Sequence, residues 1–137
     1  MPATTAQKER KRILVMDNDH DMLTLLNRTL ELEGYDAVVV AGFDEAMSSF
    51  EEMKPDMVIM DTFESIDDSI HALDVIREHS DAPVVVITAD SKIDTLKAIF
   101  AHGADDFICK PFGVRLFIAR IRAKLRRYNG EVLQPSN

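Results

Sequence analysis

A chain of 137 residues, 46% hydrophobic and 29% charged, has the composition of a single globular domain large enough for a real core. Its net charge of −8 argues against bulk nucleic-acid binding and leaves a cationic ligand or a basic partner open. One cysteine excludes an internal disulfide and, with no membrane-length apolar run and no signal-peptide core, the expected location is the cytoplasm with no membrane partner.

Residues 1–12 are polar and end in Lys8-Glu9-Arg10-Lys11-Arg12, which reads as a mobile basic tail. Ile13-Leu14-Val15-Met16 then forms a short apolar run that meets Asp17-Asn18-Asp19. Such a run reads as a strand buried on both faces of a parallel sheet. Met22, Leu26, Leu30 and Glu33 share one helical face, widened by Leu23 and Leu25, and Gly34 stands where a helix stops. Residues 36–40 make a second strand, and Ala46, Met47, Phe50 and Met53 mark a helix closed by Lys54-Pro55.

The third strand, Met57-Val58-Ile59-Met60, runs straight into Asp61. Ile70, Leu73 and Ile76 follow at helical spacing, closed by residues 80–83. Val84-Val85-Val86-Ile87 runs into Thr88, and Ile93, Leu96, Ile99 and Phe100 mark a helix that Gly103 ends. Phe107-Ile108-Cys109 leads to Lys110, and a last helix turns Phe117, Ile118, Ile121 and Leu125 inward. Residues 129–137 read as a linker or a chain end. Five uninterrupted alternations of strand and helix predict an α/β fold, a doubly wound five-stranded parallel sheet with five helices.

In such folds, ligands sit beyond the carboxyl ends of the strands, where Asp17, Asp19, Asp61, Thr88 and Lys110 all fall. Carboxylates about 4 Å apart repel by roughly 4 kcal/mol at an effective dielectric near 20, so such a group holds a proton or a cation. Hard oxygen donors without His or Cys suit Mg²⁺. With a hydroxyl and an ammonium alongside, they form a cradle for phosphoryl transfer in which Asp61 is the nucleophile. Each residue alone also fits a plainer role: the acids and Thr88 as helix caps, Lys110 as a solvated lysine.

Ile13-Leu14-Val15-Met16-Asp17-Asn18-Asp19, Pro55-Asp56-Met57-Val58-Ile59-Met60-Asp61, residues 83–89, and Gly103-Ala104-Asp105-Asp106-Phe107-Ile108-Cys109-Lys110-Pro111-Phe112 together resemble the receiver domain of two-component response regulators. The resemblance covers residues 13–128 as the receiver domain and implies a flavodoxin-like strand order of 2-1-3-4-5. It implies a signalling phosphoacceptor, not an enzyme acting on a separate substrate, with Asp61 taking a phosphoryl group from a histidine kinase. It further implies Mg²⁺ held by Asp17, the residue at Asn18, Asp61 and the main-chain carbonyl of Phe63. Thr88 and Lys110 would contact the phosphoryl group, Phe107 would be the switch aromatic, and Phe63 and Asp90 would tune phosphate lifetime. A cis bond is implied between Lys110 and Pro111.

The last third is closest to receivers joined to winged-helix DNA-binding domains, which dimerise through the face of the fourth helix, fifth strand and fifth helix. Asp105, Asp106 and Arg120 are placed for its ion pairs, whereas Leu96 and Leu116 replace another pair, which leaves open an apolar contact there or no dimer through this face. A DNA-binding output domain would lie beyond this chain, which itself makes no nucleic-acid contact. Two departures stand out. Asn18 replaces an acid and predicts weaker metal binding. Residues 62–69 have Ser65 and Ser69 where a Pro and a Gly are common, and their acids suit a solvated surface and helix cap.

Three other classes fit parts of the pattern. A pseudo-receiver, binding partners without phosphorylation, is favoured by the same two departures. An aspartate-nucleophile phosphatase would need acidic metal ligands after Lys110, where only Glu131 is acidic. A flavin carrier would meet repulsion between its phosphate and Asp17, Asp19 and Asp21.

Overall fold

Strand formation begins with the apolar runs, whose alternate residues must find cover on both faces. The structure, a computed structural model, describes residues 10–62 and 65–128. The strands are β1 (Arg12–Met16), β2 (Asp36–Val40), β3 (Met57–Asp61), β4 (Val84–Thr88) and β5 (Asp106–Cys109). Between and after them lie α1 (His20–Leu32), α2 (Phe43–Met53), α3 (Ile66–His79), α4 (Ile93–Ala101) and α5 (Val114–Tyr128). All strand pairs are parallel, in the order β2-β1-β3-β4-β5.

Each central strand feeds two apolar layers. Ile13, Val15, Met57 and Ile59 pack with Leu26 and Leu30 of α1 and Phe117 and Ile121 of α5. Leu14, Met16, Val58 and Met60 point the other way, toward Phe50 of α2, Leu73 of α3 and Ile99 of α4. Each such side chain contributes about 1.5–3 kcal/mol by leaving water, which is why the three central strands read as unbroken apolar runs.

Helix ends follow local chemistry. Gly34, at φ +93°, lets its own N–H reach Glu31 O at 3.0 Å and Tyr35 N–H reach Leu30 O at 3.0 Å, the Schellman pattern. Gly103, at φ +109°, does the same for α4 through Phe100 O and Ile99 O. Ser65 caps α3 by accepting from Asp67 N–H at 3.1 Å, with Asp67 and Asp68 exposed in its first turn. Ser69 is buried and its hydroxyl donates to Thr62 O, so the described part of the acidic loop is a cap and a solvated surface.

Several expectations need correction. Leu25 is 45% exposed, Ile93 64% and Phe100 42%, because the apolar stripes of α1 and α4 are wider than the sheet area they cover. β1 starts at Arg12, whose N–H donates to Asp56 Oδ2 and whose guanidinium donates to Met53 O at 2.7 Å. Arg10 likewise donates to Gly34 O at 3.1 Å, so these two arginines are bonded to the domain. The rest of the expected tail, residues 1–9, and the expected linker, residues 129–137, lie outside the described residues, as does Phe63.

Candidate functional site

Register alone brings the candidate residues together. Met16 pairs with Met60, so Asp17 and Asp61 leave adjacent strand ends at the point where the strand order reverses. Thr88 pairs with Cys109, and Lys110 N–H donates to Thr88 O at 2.8 Å, which carries the ladder one residue past the end of β5. The Lys110–Pro111 bond is cis, as the resemblance implied.

The Lys110 ammonium lies between the two acids, 3.2 Å from Asp61 Oδ1 and 3.5 Å from Asp17 Oδ2. Asp17 is only 1% exposed and also accepts from Asp19 N–H at 2.9 Å. Burial raises the Asp17 carboxyl above its ordinary range, assisted by the Asp61 charge and opposed by the Asp19 N–H and Lys110. For Lys110, burial acts to lower the ammonium, but attraction to Asp61 and then Asp17 outweighs it and raises the group overall. Among the described residues, Lys110 is the cation that pairs with these two acids.

Asp19 does not join the cluster. Its Oδ1 accepts from Asp21 N–H and Met22 N–H, capping α1, so helix capping wins over convergence at that position. Among the described residues no group of three or more His, Cys, Asp or Glu could hold a metal. What remains is Asp17, Asp61 and the exposed amide of Asn18. These hard oxygens fit Mg²⁺, which keeps several waters and needs only one or two carboxylates. The donor set is one charge weaker than an Asp at position 18 would make it.

Thr88 is fully buried, and its hydroxyl both donates to Asp90 O at 3.1 Å and accepts from Asp90 N–H at 2.9 Å. The Asp90 carboxylate accepts from Lys92 N–H at 2.9 Å and from the Thr95 hydroxyl at 2.8 Å, and those two bonds, in that order, hold it below the ordinary range. Phe107 is half-buried and meets Phe100 edge-on, with ring centroids 5.8 Å apart.

The expected dimer residues are engaged within the chain. Asp105 pairs with Arg77 at 2.7 Å and accepts from Val84 N–H, and Asp106 pairs with Arg120 at 3.2 Å. Leu116 is 49% exposed and Leu96 half-buried. Sequence reasoning missed Arg77. Its guanidinium also donates to Gly103 O and Ala82 O, tying α3 to the α4–β5 turn and to the approach to β4. A basic residue in the last turn of a helix was the available signal. Thr95 was missed as well, since only the fold brings it to Asp90.

Residues 13–122 match the family model described as the response regulator receiver domain. The chain is 37% identical over 124 residues to the DNA-binding response regulator MtrA of Mycobacterium tuberculosis, covering 89% of this chain and 54% of the relative. It is 36% identical over 117 residues to the transcriptional regulatory protein PrrA of the same species, covering 85% and 50%. The chain thus spans about half the length of the curated relatives it matches. Among solved structures it is similar to a two-component response regulator from Clostridium difficile, with a TM-score of 0.83, 26% identity and coverage of 88% and 99%. The BeF3-activated receiver domain of Klebsiella pneumoniae RstA aligns with a TM-score of 0.78, 26% identity and coverage of 84% and 98%.

Proposed function

The chain belongs to the response regulator receiver domain family of two-component systems, and from that premise we propose that Asp61 accepts a phosphoryl group from a histidine kinase. The observation that carries this reading is the Lys110 ammonium bridging Asp61 and Asp17 at a strand-end crevice. With Asp61 Oδ1 held at 3.2 Å, the other oxygen attacks phosphorus. The new O–P bond forms as the phosphohistidine N–P bond breaks, and its electron pair returns to the imidazole nitrogen. Lys110 then neutralises a phosphoryl oxygen, and Thr88 donates a hydrogen bond to another.

Mg²⁺, when bound by Asp17, Asn18, Asp61 and the Phe63 carbonyl, supplies further charge neutralisation for the phosphoryl oxygens. The output runs through Thr88 and Phe107 to the face made by α4, β5 and α5, by shifting an equilibrium between two arrangements. Phe63 and Asp90 set the phosphate lifetime. The chain acts as a signalling phosphoacceptor in the cytoplasm, catalysing only its own phosphorylation and dephosphorylation. Among the described residues no helix is long and apolar enough to cross a membrane.

A homodimer through the same face would rest on exposed Ile93, Phe100 and Leu116, since Asp105 and Asp106 are paired within the chain. Light scattering that stays monomeric with Mg²⁺ and beryllofluoride would remove that element. A DNA-binding output domain, as the names of the relatives indicate for them, would belong to a segment beyond this chain or to a partner.

The decisive experiment is intact mass after incubation with Mg²⁺ and acetyl phosphate, beside Asp61→Asn. A labile phosphoryl adduct on the native chain alone is expected. The absence of both an adduct and beryllofluoride binding would favour the pseudo-receiver reading, which the reduced charge at Asn18 supports.

A further inference from the structure

The Thr88 hydroxyl has one proton, and that proton is given to Asp90 O at 3.1 Å. To donate to a phosphoryl oxygen, Thr88 must give up this bond, and the bond it accepts from Asp90 N–H at 2.9 Å further ties its oxygen to the same residue. The tightness of this hold depends on how firmly Asp90 is placed. Asp90 is fixed from the far side by its carboxylate: Oδ1 takes Lys92 N–H, and Oδ2 takes the Thr95 hydroxyl at 2.8 Å. The Lys92 bond is a local turn, whereas Thr95 stands in the first turn of α4, five residues on. Thr88, Asp90 and Thr95 therefore form one continuous hydrogen-bonded chain from a buried strand end to a helix.

We propose that Thr95 is a positioning residue: acting through the Asp90 carboxylate, its hydroxyl latches Thr88 in the arrangement that withholds its proton from the phosphoryl site. Thr95 touches neither Asp61 nor Lys110 among the hydrogen bonds of the described residues, so its effect is indirect. The latch works in both directions. Rotation of Thr88 toward a phosphoryl group loosens Asp90 and with it the start of α4, while a partner that shifts α4 frees Thr88. This functional consequence rests on the phosphoacceptor reading of Asp61; the latch itself does not.

Thr95→Val keeps the shape and removes the hydroxyl, and Thr95→Ser restores the hydroxyl. Three-bond NMR couplings to the Thr88 methyl, measured without phosphate, report its χ1 rotamer. One rotamer is expected in the native chain and in Thr95→Ser, with averaging over rotamers in Thr95→Val. Beryllofluoride with Mg²⁺ should bind Thr95→Val about three- to tenfold more tightly, the scale of one released hydrogen bond. A native Thr88 coupling in Thr95→Val, or failure of Thr95→Ser to restore it, would overturn the latch. If the native chain neither binds beryllofluoride nor takes a phosphoryl adduct, the phosphoacceptor reading fails while the couplings still decide the latch.

Discussion

Replacing Lys110 with methionine removes the ammonium from between two carboxylates while keeping most of the volume of its stem. At 3.2 and 3.5 Å and an effective dielectric near 20, each contact is worth about 5 kcal/mol of gross attraction. Much of this is offset by the desolvation of Asp17, which is 1% exposed, and of the ammonium itself. Breaking a fully buried pair costs roughly 3–5 kcal/mol, but the Lys110 and Asp61 side chains keep 22% and 16% of their exposure. Screening by water lowers the expected loss to about 2–3 kcal/mol at neutral pH without Mg²⁺.

The pH dependence of this loss carries the test. The Asp17 carboxyl already lies above its ordinary value, chiefly through burial, and without Lys110 it rises further. An acid whose folded-state value is raised binds its proton more readily when folded, so stability increases as pH falls through that value. Protonated Asp17 no longer repels Asp61, and the deficit of the variant should shrink in mild acid. At the alkaline end, the raised Lys110 stabilises the native chain fully below its ordinary value and ceases to do so as pH passes its folded value. Urea unfolding in chelator-treated buffer, followed by circular dichroism because the chain has no Trp, reads the deficit directly. A deficit that stays constant from neutral pH down the whole acid limb would refute the charge-compensation argument.

Asn18→Asp adds a carboxylate to the metal donors and should tighten Mg²⁺ binding by about tenfold in calorimetry, on the scale of one extra charged ligand partly offset by repulsion; unchanged affinity would sink the assignment. Arg77→Met removes donors to Gly103 O, Ala82 O and Asp105 and should cost about 2–4 kcal/mol in urea unfolding. Gly103→Ala places a Cβ 2.8 Å from Arg77 Cγ at a φ of +109° and should cost about 2–3 kcal/mol. Because the clash needs the Arg77 atoms beyond Cβ, the loss from Gly103→Ala should be smaller in an Arg77→Ala background, which lacks Cγ. Strict additivity in that double-mutant cycle would refute the contact.

Strand and helix placement was legible because the signals are local. Four consecutive apolar residues before Asp61 state that both faces of a strand are covered, and Gly34 and Gly103 stand where only a residue tolerant of positive φ can end a helix. From that alternation the sheet follows, and the polar residue ending each strand is carried to one edge. That Asp17, Asp61, Thr88 and Lys110 reach one edge was therefore legible in the sequence, since the residue at or just past a strand's end needs no knowledge of its distant neighbours.

Which hydrogen bond each polar group makes was decided only in three dimensions. Asp19 looked equivalent to Asp17, but the start of α1 had unpaired N–H groups within reach and took its carboxylate. Asp105 looked free for a partner chain until α3 packed Arg77 against it. Leu25 and Phe100 sat on apolar stripes whose edges the sheet proved too narrow to cover. Local pattern determines where the chain turns and which residues reach the edge; competition among partners, a neighbouring helix start for Asp19 and a distant helix for Asp105, determines which of them remain available for chemistry.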